Sequence, residues 1–211
     1  MRRLLSIAAA GVLALALAAP AMAGANTSNT SGSAQIVNGE WSSETGSGYA
    51  YFATDSSYGP SGEFYEESGE WIACDDTGES YGFVGTRTYG YASDLSIALD
   101  SRLDHATVTG TLELSSETVN DCTGGSDTGK YDTTNGDTTS VAFSASVDGV
   151  GSAARFRDSG SFKVPGDYNA HSKQSGKQRD ATGSIVLAGV GSRQFDWAVL
   201  ATVNWSDHSN G

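Results

Sequence analysis

Seven carboxylates fall within 17 residues: Glu63, Glu66, Glu67, Glu70, Asp75, Asp76 and Glu79, with no base between them. Crowded acids offer two chemistries. Calcium takes about six to eight oxygens from carboxylates and carbonyls. Glu70, Asp75 and Asp76 are the candidate ligands, although no EF-hand spacing surrounds them. Glycoside hydrolysis instead needs two carboxyl groups facing each other across a cleft, roughly 5–10 Å apart, one of them held protonated. The plain alternative is a solvated acidic face, which needs no motif, and none is present.

The opposite charge gathers elsewhere. Residues 166–182, GDYNAHSKQSGKQRDAT, read as a long polar loop carrying Tyr168, His171, Lys173, Lys177 and Arg179. Long ordered loops on β-scaffolds often carry function. These five residues are the candidate ligand-binding set, suited to an anion or an acidic partner. His171 is the one histidine with such neighbours. His105 falls in a turn and His208 near the end of the chain.

A nucleophile is harder to find. Ile36-Val37-Asn38-Gly39-Glu40 resembles the mature N-terminus of trypsin-like serine proteases, whose freed isoleucine amine inserts into the body and orders the active site. The resemblance stops after those five residues. The nearest counterpart of the family's serine loop is Arg157-Asp158-Ser159-Gly160-Ser161, which lacks the first and last glycines. No Gly-x-Ser-x-Gly elbow occurs, so no catalytic residue is assigned and the balance leans away from an enzyme. Trp41, Trp71, Trp197 and Trp205, with nine tyrosines, could stack on sugars. Large rings are also ordinary core fillers. Trp71 is expected on a disulfide three residues away, and Trp197 and Trp205 in the core.

The elements that would position these residues are strands. Leu95, Ile97 and Leu99 alternate with Ser96, Ala98 and Asp100. Ala106, Val108, Leu112 and Leu114 alternate with threonines and Glu113. Val141, Phe143, Ala145 and Val147 repeat the pattern. In Asp196–Trp205 apolar residues fall on both parities, which predicts a strand covered on both faces. No segment holds a helical period over three turns. Strands recurring between Gly-rich turns predict an all-β fold, an antiparallel β-sandwich or barrel-like sandwich.

Export sets the compartment. Arg2-Arg3, an apolar run from Leu4 to Ala19 and Ala21-Met22-Ala23 form a signal-peptide pattern, too short to span a bilayer. The expected organisation is a signal peptide over 1–23, a flexible linker over 24–35 and a single domain over 36–211. The product is expected to be secreted, with no membrane insertion after signal removal. Losing Arg2 and Arg3 leaves ten bases against 25 acids, a formal charge of −15. That charge repels phosphate backbones, so nucleic acid is not expected as a partner. Cys74 and Cys122 are an even pair in an oxidising compartment and are expected to form one disulfide. Two cysteines offer no zinc cage. Calcium is the only cofactor left open.

The Ala-rich leader, low lysine, Gly/Ser/Thr-heavy strands and the Ala-Thr-Val-Thr-Gly-Thr-Leu phrase at 106–112 resemble small exported all-β proteins of high-GC Gram-positive bacteria. The resemblance implies location and architecture, and no activity. Together these features lead to the expectation of a secreted, non-catalytic protein that binds an extracellular protein, a cell-surface component or a glycan through its loops. The alternatives are an extracellular hydrolase using acids of the 63–79 region and a small protease inhibitor presenting residues 166–182.

Overall fold

The structure is a computed structural model, and it describes residues 28–75, 80–122, 132–164 and 168–210. The expected signal peptide lies outside the described residues, as do residues 24–27, Asp76 and Glu79. The fold is all-β and antiparallel. Among the described residues, eleven strands belong to one sheet: β1 (Ser28–Ser43), β2 (Gly46–Asp55), β3 (Gly59–Ala73), β4 (Tyr81–Ala92), β5 (Ser96–Leu99), β6 (His105–Asn120), β7 (Asp132–Asn135), β8 (Thr139–Gly149), β9 (Ala154–Val164), β10 (Tyr168–Leu187) and β11 (Gly191–Asn210).

The sheet is ring-like. Pairing runs β11-β1-β2-β3-β4-β6-β8-β10, and β10 pairs with β11 again. The period-2 residues supply the inside. Val37, Phe52, Phe64, Val108, Leu112, Phe143, Val147, Ile185, Leu187, Phe195 and Leu200 form one buried cluster drawn from every side of the ring. The two strands read from the 95–114 alternation are β5 and β6, paired at 96–99 and 106–109.

Cys74 and Cys122 are bonded, with Cα atoms 5.0 Å apart. Cys74 follows β3 and Cys122 follows β6, while β4 lies between those strands. The bridge therefore crosses β4. It does so at Gly82, where an added Cβ would stand 2.8 Å from the Cys74 sulfur and 3.0 Å from the Cys122 sulfur.

Two stretches differ from expectation. Residues 28–35, expected as a linker, are the first half of β1, paired with 202–209 of β11. Residues 168–182, expected as a loop, belong to β10, paired with β9 on one side and β11 on the other. The reason is common to both. N-terminal to Ala34, β1 has no β2 partner, and β10 pairs with β9 instead of β8 up to Gln178. β1, β11, β10 and β9 thus continue past the ring as a four-stranded tongue. A strand with water near both faces needs no apolar alternation, so its sequence looks like a loop.

Candidate functional site

The strongest concentration of chemistry lies on the outer face of β2, β3, β4 and β6. Strand register sets it out in rows. Trp197, Glu40, Tyr49, Tyr65, Tyr89 and Ser115 are successive cross-strand partners. Tyr51, Glu63, Tyr91 and Glu113 form the next row, and Ser47, Glu67, Arg87 and Glu117 another. Trp71 and Phe83 close the far end.

The rings of Tyr49, Tyr65 and Tyr89 make a ladder, with centroids 5.7 and 5.3 Å apart. Each hydroxyl donates to a carboxylate: Tyr49 to Glu63 at 2.5 Å, Tyr65 to Glu67 at 2.9 Å and Tyr89 to Glu117 at 3.1 Å. Burial and these acceptors hold the phenols protonated, pushing Tyr65 up to about 12 and raising Tyr49 and Tyr89 as well. Arg87 stands over the Phe83 ring at 5.1 Å and 3.9 Å from Glu67.

At the margins of this ladder the rings are open. Trp71 is 65% exposed, Tyr91 61% and Trp197 44%. Trp71 does not pack on the disulfide as expected; it meets Phe83 edge-on at 6.1 Å. Trp197 does not line the core. Ala198 and Leu200 take the inward positions, so odd-numbered residues from Trp197 to Trp205 face out. Trp205 on that face is covered by Tyr58, 5.9 Å away, and its indole N–H donates to Asp55 at 2.9 Å. Trp41 packs inside against Phe64 and Phe195.

Strand alternation breaks up the acidic cluster. Glu63 and Glu67 face outward, while Glu66 takes a two-pronged ion pair with Arg193, whose Nη2 donates to Oε2 at 2.9 Å. Glu70 and Asp75 are exposed near the end of β3. Asp76, the third candidate calcium ligand, lies outside the described residues. Among the described residues no group of three or more His, Cys, Asp or Glu side chains is placed to hold a metal.

The basic set lies on the tongue. His171, Lys173 and Lys177 share one face of β10 by alternation and are exposed. Tyr168 begins the strand; its side chain lies outside the described residues. Arg179 is set apart. Its side chain is 16% exposed and bound to Asp104, beside the Leu103 carbonyl at 3.5 Å. It closes the mouth of the ring, where the apolar interior gives way to the polar tongue. His105 has a partner that sequence spacing did not offer: Asp148, its β8 neighbour in register, at 2.7 Å.

No family model matches this chain, and neither curated proteins nor solved structures give a match.

The outer face can therefore do two things. Exposed rings offer apolar flats, and the carboxylates between them accept hydrogen bonds from hydroxyls. Along β3 the stripe from Glu63 to Trp71 covers about 25 Å at strand rise. Neither the cross-strand partners nor the aromatic spacing of this face was visible from local sequence. The only local signal was Tyr or Trp at alternate positions in 49–51 and 89–91.

Proposed function

We propose that the protein is an extracellular, non-catalytic glycan-binding protein, whose ligand lies along the outer face of β3 and β4. One observation carries this reading: exposed Trp71 and Tyr91 flank a hydrogen-bonded Tyr/Glu ladder on one outer face. Sugar rings present an apolar face to aromatic flats and hydroxyls at their rim. A row of carboxylates already oriented by tyrosine hydroxyls suits those hydroxyls without further ordering cost. Binding thus belongs to a sheet face and not to loops. The leader-like N-terminus and the closed Cys74–Cys122 bridge support export.

The hydrolase reading has less support, because Glu63, Glu66 and Glu67 are each committed to a tyrosine or arginine partner on different faces. Inhibition through 166–182 also has less, because 168–182 is paired strand. The test is retention on insoluble polysaccharides and on an array of soluble ones. Binding to at least one glycan is expected, weakened tenfold or more by Trp71→Ala and by Tyr91→Ala at unchanged melting temperature. Glycan retention that ignores both substitutions, or no retention at all, would refute it.

A further inference from the structure

The tongue presents a second face of opposite character. Its register stacks four rungs: Arg155, Lys177, Thr202, Gln35; then Arg157, Ser175, Asn204, Ser33; then Ser159, Lys173, Ser206, Ser31; then Ser161, His171, His208, Asn29. By alternation these side chains share the side that becomes the ring interior farther along the same strands. Each rung carries a cation or an imidazole, and the rest are hydroxyls and amides. No carboxylate stands in any rung: Asp158, Asp180 and Asp207 fall on the opposite parity. Two shallow hollows open here. One of about 530 Å³ is lined by Asn29, Ser31, His171, Lys173, Ser206 and His208. Another of about 470 Å³ is lined by Ser33, Gln35, Thr54, Ser56, Thr202 and Asn204, with Ala34 and Val203 at its side. Asp207 also borders the first and Asp55 the second, where Asp55 is taken by the Trp205 indole. His208 is held by Asn29 across the strands.

We infer that this face binds an extended polyol phosphate, a polymer of phosphodiesters joined by short hydroxylated units. Charge decides the sign of the ligand. A basic row on a chain of formal charge −13 has no counter-ions within its own rungs. Spacing argues for a polymer, since successive rungs recur at roughly 7 Å, the rise of two strand residues. The lining decides its chemistry. Hydroxyls and amides suit a hydroxylated linker, and the four rungs contain no Phe, Tyr or Trp. Single-stranded nucleic acid is bound by stacking its bases on such rings, so this face is poorly made for it. The inference is independent of the glycan reading, which uses the outer face of β3 and β4.

The experiment measures binding of the full chain to poly(glycerol phosphate) at low ionic strength. Inorganic phosphate, oligo(dT) and a neutral polysaccharide serve as comparison ligands. The polymer is expected to bind, more weakly as salt is raised. Lys173→Glu/Lys177→Glu and Arg155→Glu/Arg157→Glu should each weaken it at least tenfold. Should charge reversal impair folding, Lys173→Gln/Lys177→Gln should still lower affinity severalfold at unchanged melting temperature. Trp71→Ala and Tyr91→Ala should leave it unaltered, which separates this face from the glycan face. No binding, or binding indifferent to the tongue substitutions, overturns the inference. Oligo(dT) bound equally well would make this a nucleic-acid face, and inorganic phosphate bound equally well a single-anion site; either overturns it.

Discussion

Tyr65 shows how one hydroxyl links stability to pH. Its ordinary pKa of 10.0 is raised to about 12 by burial and by donation to Glu67. A folded-state pKa above the unfolded one contributes stability that is fully present below pH 10 and is lost as pH rises through about 12. Tyr49 and Tyr89 shift in the same direction. The melting temperature should therefore fall from pH 10 upward. Tyrosinate absorbance should carry a late phase above pH 10 from the ladder phenols. Tyr65→Phe should shrink the late phase; an unchanged late phase would count against the ladder. Arg193 gives a second test. Arg193→Met leaves Glu66 without its two-pronged partner and should cost about 1.5–3 kcal/mol in urea unfolding. At this scale the sequence was least legible. It showed that acids and rings were abundant, but the pairs Tyr89–Glu117, Glu66–Arg193 and His105–Asp148 depend on register and on which face a residue takes. Trp71 departs from expectation through strand alternation: three residues from Cys74, its ring leaves the opposite side of the strand from the cysteine.

Elements divide into those written in apolar alternation and those that are not. β6 and β8 could be read directly, because each buries one face against the ring interior. Leu112 and Val108 are fully buried as their period implied. β10 could not, because half of it lies on the tongue. Where β3, β4 and β6 meet, the disulfide depends on an element that takes no part in it. Gly82 of β4 lies beneath the bridge. Gly82→Ala should destabilise the oxidised protein by about 1–3 kcal/mol through overpacking. The penalty should shrink in a Cys74→Ser/Cys122→Ser background, where the sulfurs are gone. Equal penalties in both backgrounds would mean that the bridge is not what excludes the side chain. The bridge itself closes a separation of 48 residues, and its removal should cost about 4 kcal/mol on the chain-entropy account.

The molecule as a whole is a ring whose first and last strands are neighbours, with acids and rings on one outer face and bases on the tongue. β11 holds both β1 and β10. Deleting residues 191–210 should leave two bare edges and a split core. The truncated chain is expected to aggregate or remain unfolded by size-exclusion chromatography and circular dichroism. A monomeric, folded product would mean that the ring does not need its seam. The overall class was legible because ring closure adds nothing to the alternation of any single strand. The tongue was not, because its polar composition is the same whether a chain pairs or wanders.

That seam also has a timetable. A chain made from its N-terminus releases the residues of β1 long before those that pair with Ser28–Gln35, which lie at 202–209. Through that interval one edge of β1 stands waiting for a partner that does not yet exist, and a waiting edge invites the wrong partner. Ser28-Asn29-Thr30-Ser31-Gly32-Ser33 is a poor template for such mispairing, being small, polar and low in strand preference. The composition that makes this stretch look like a linker is what lets it stay harmless until its partner strand has been made.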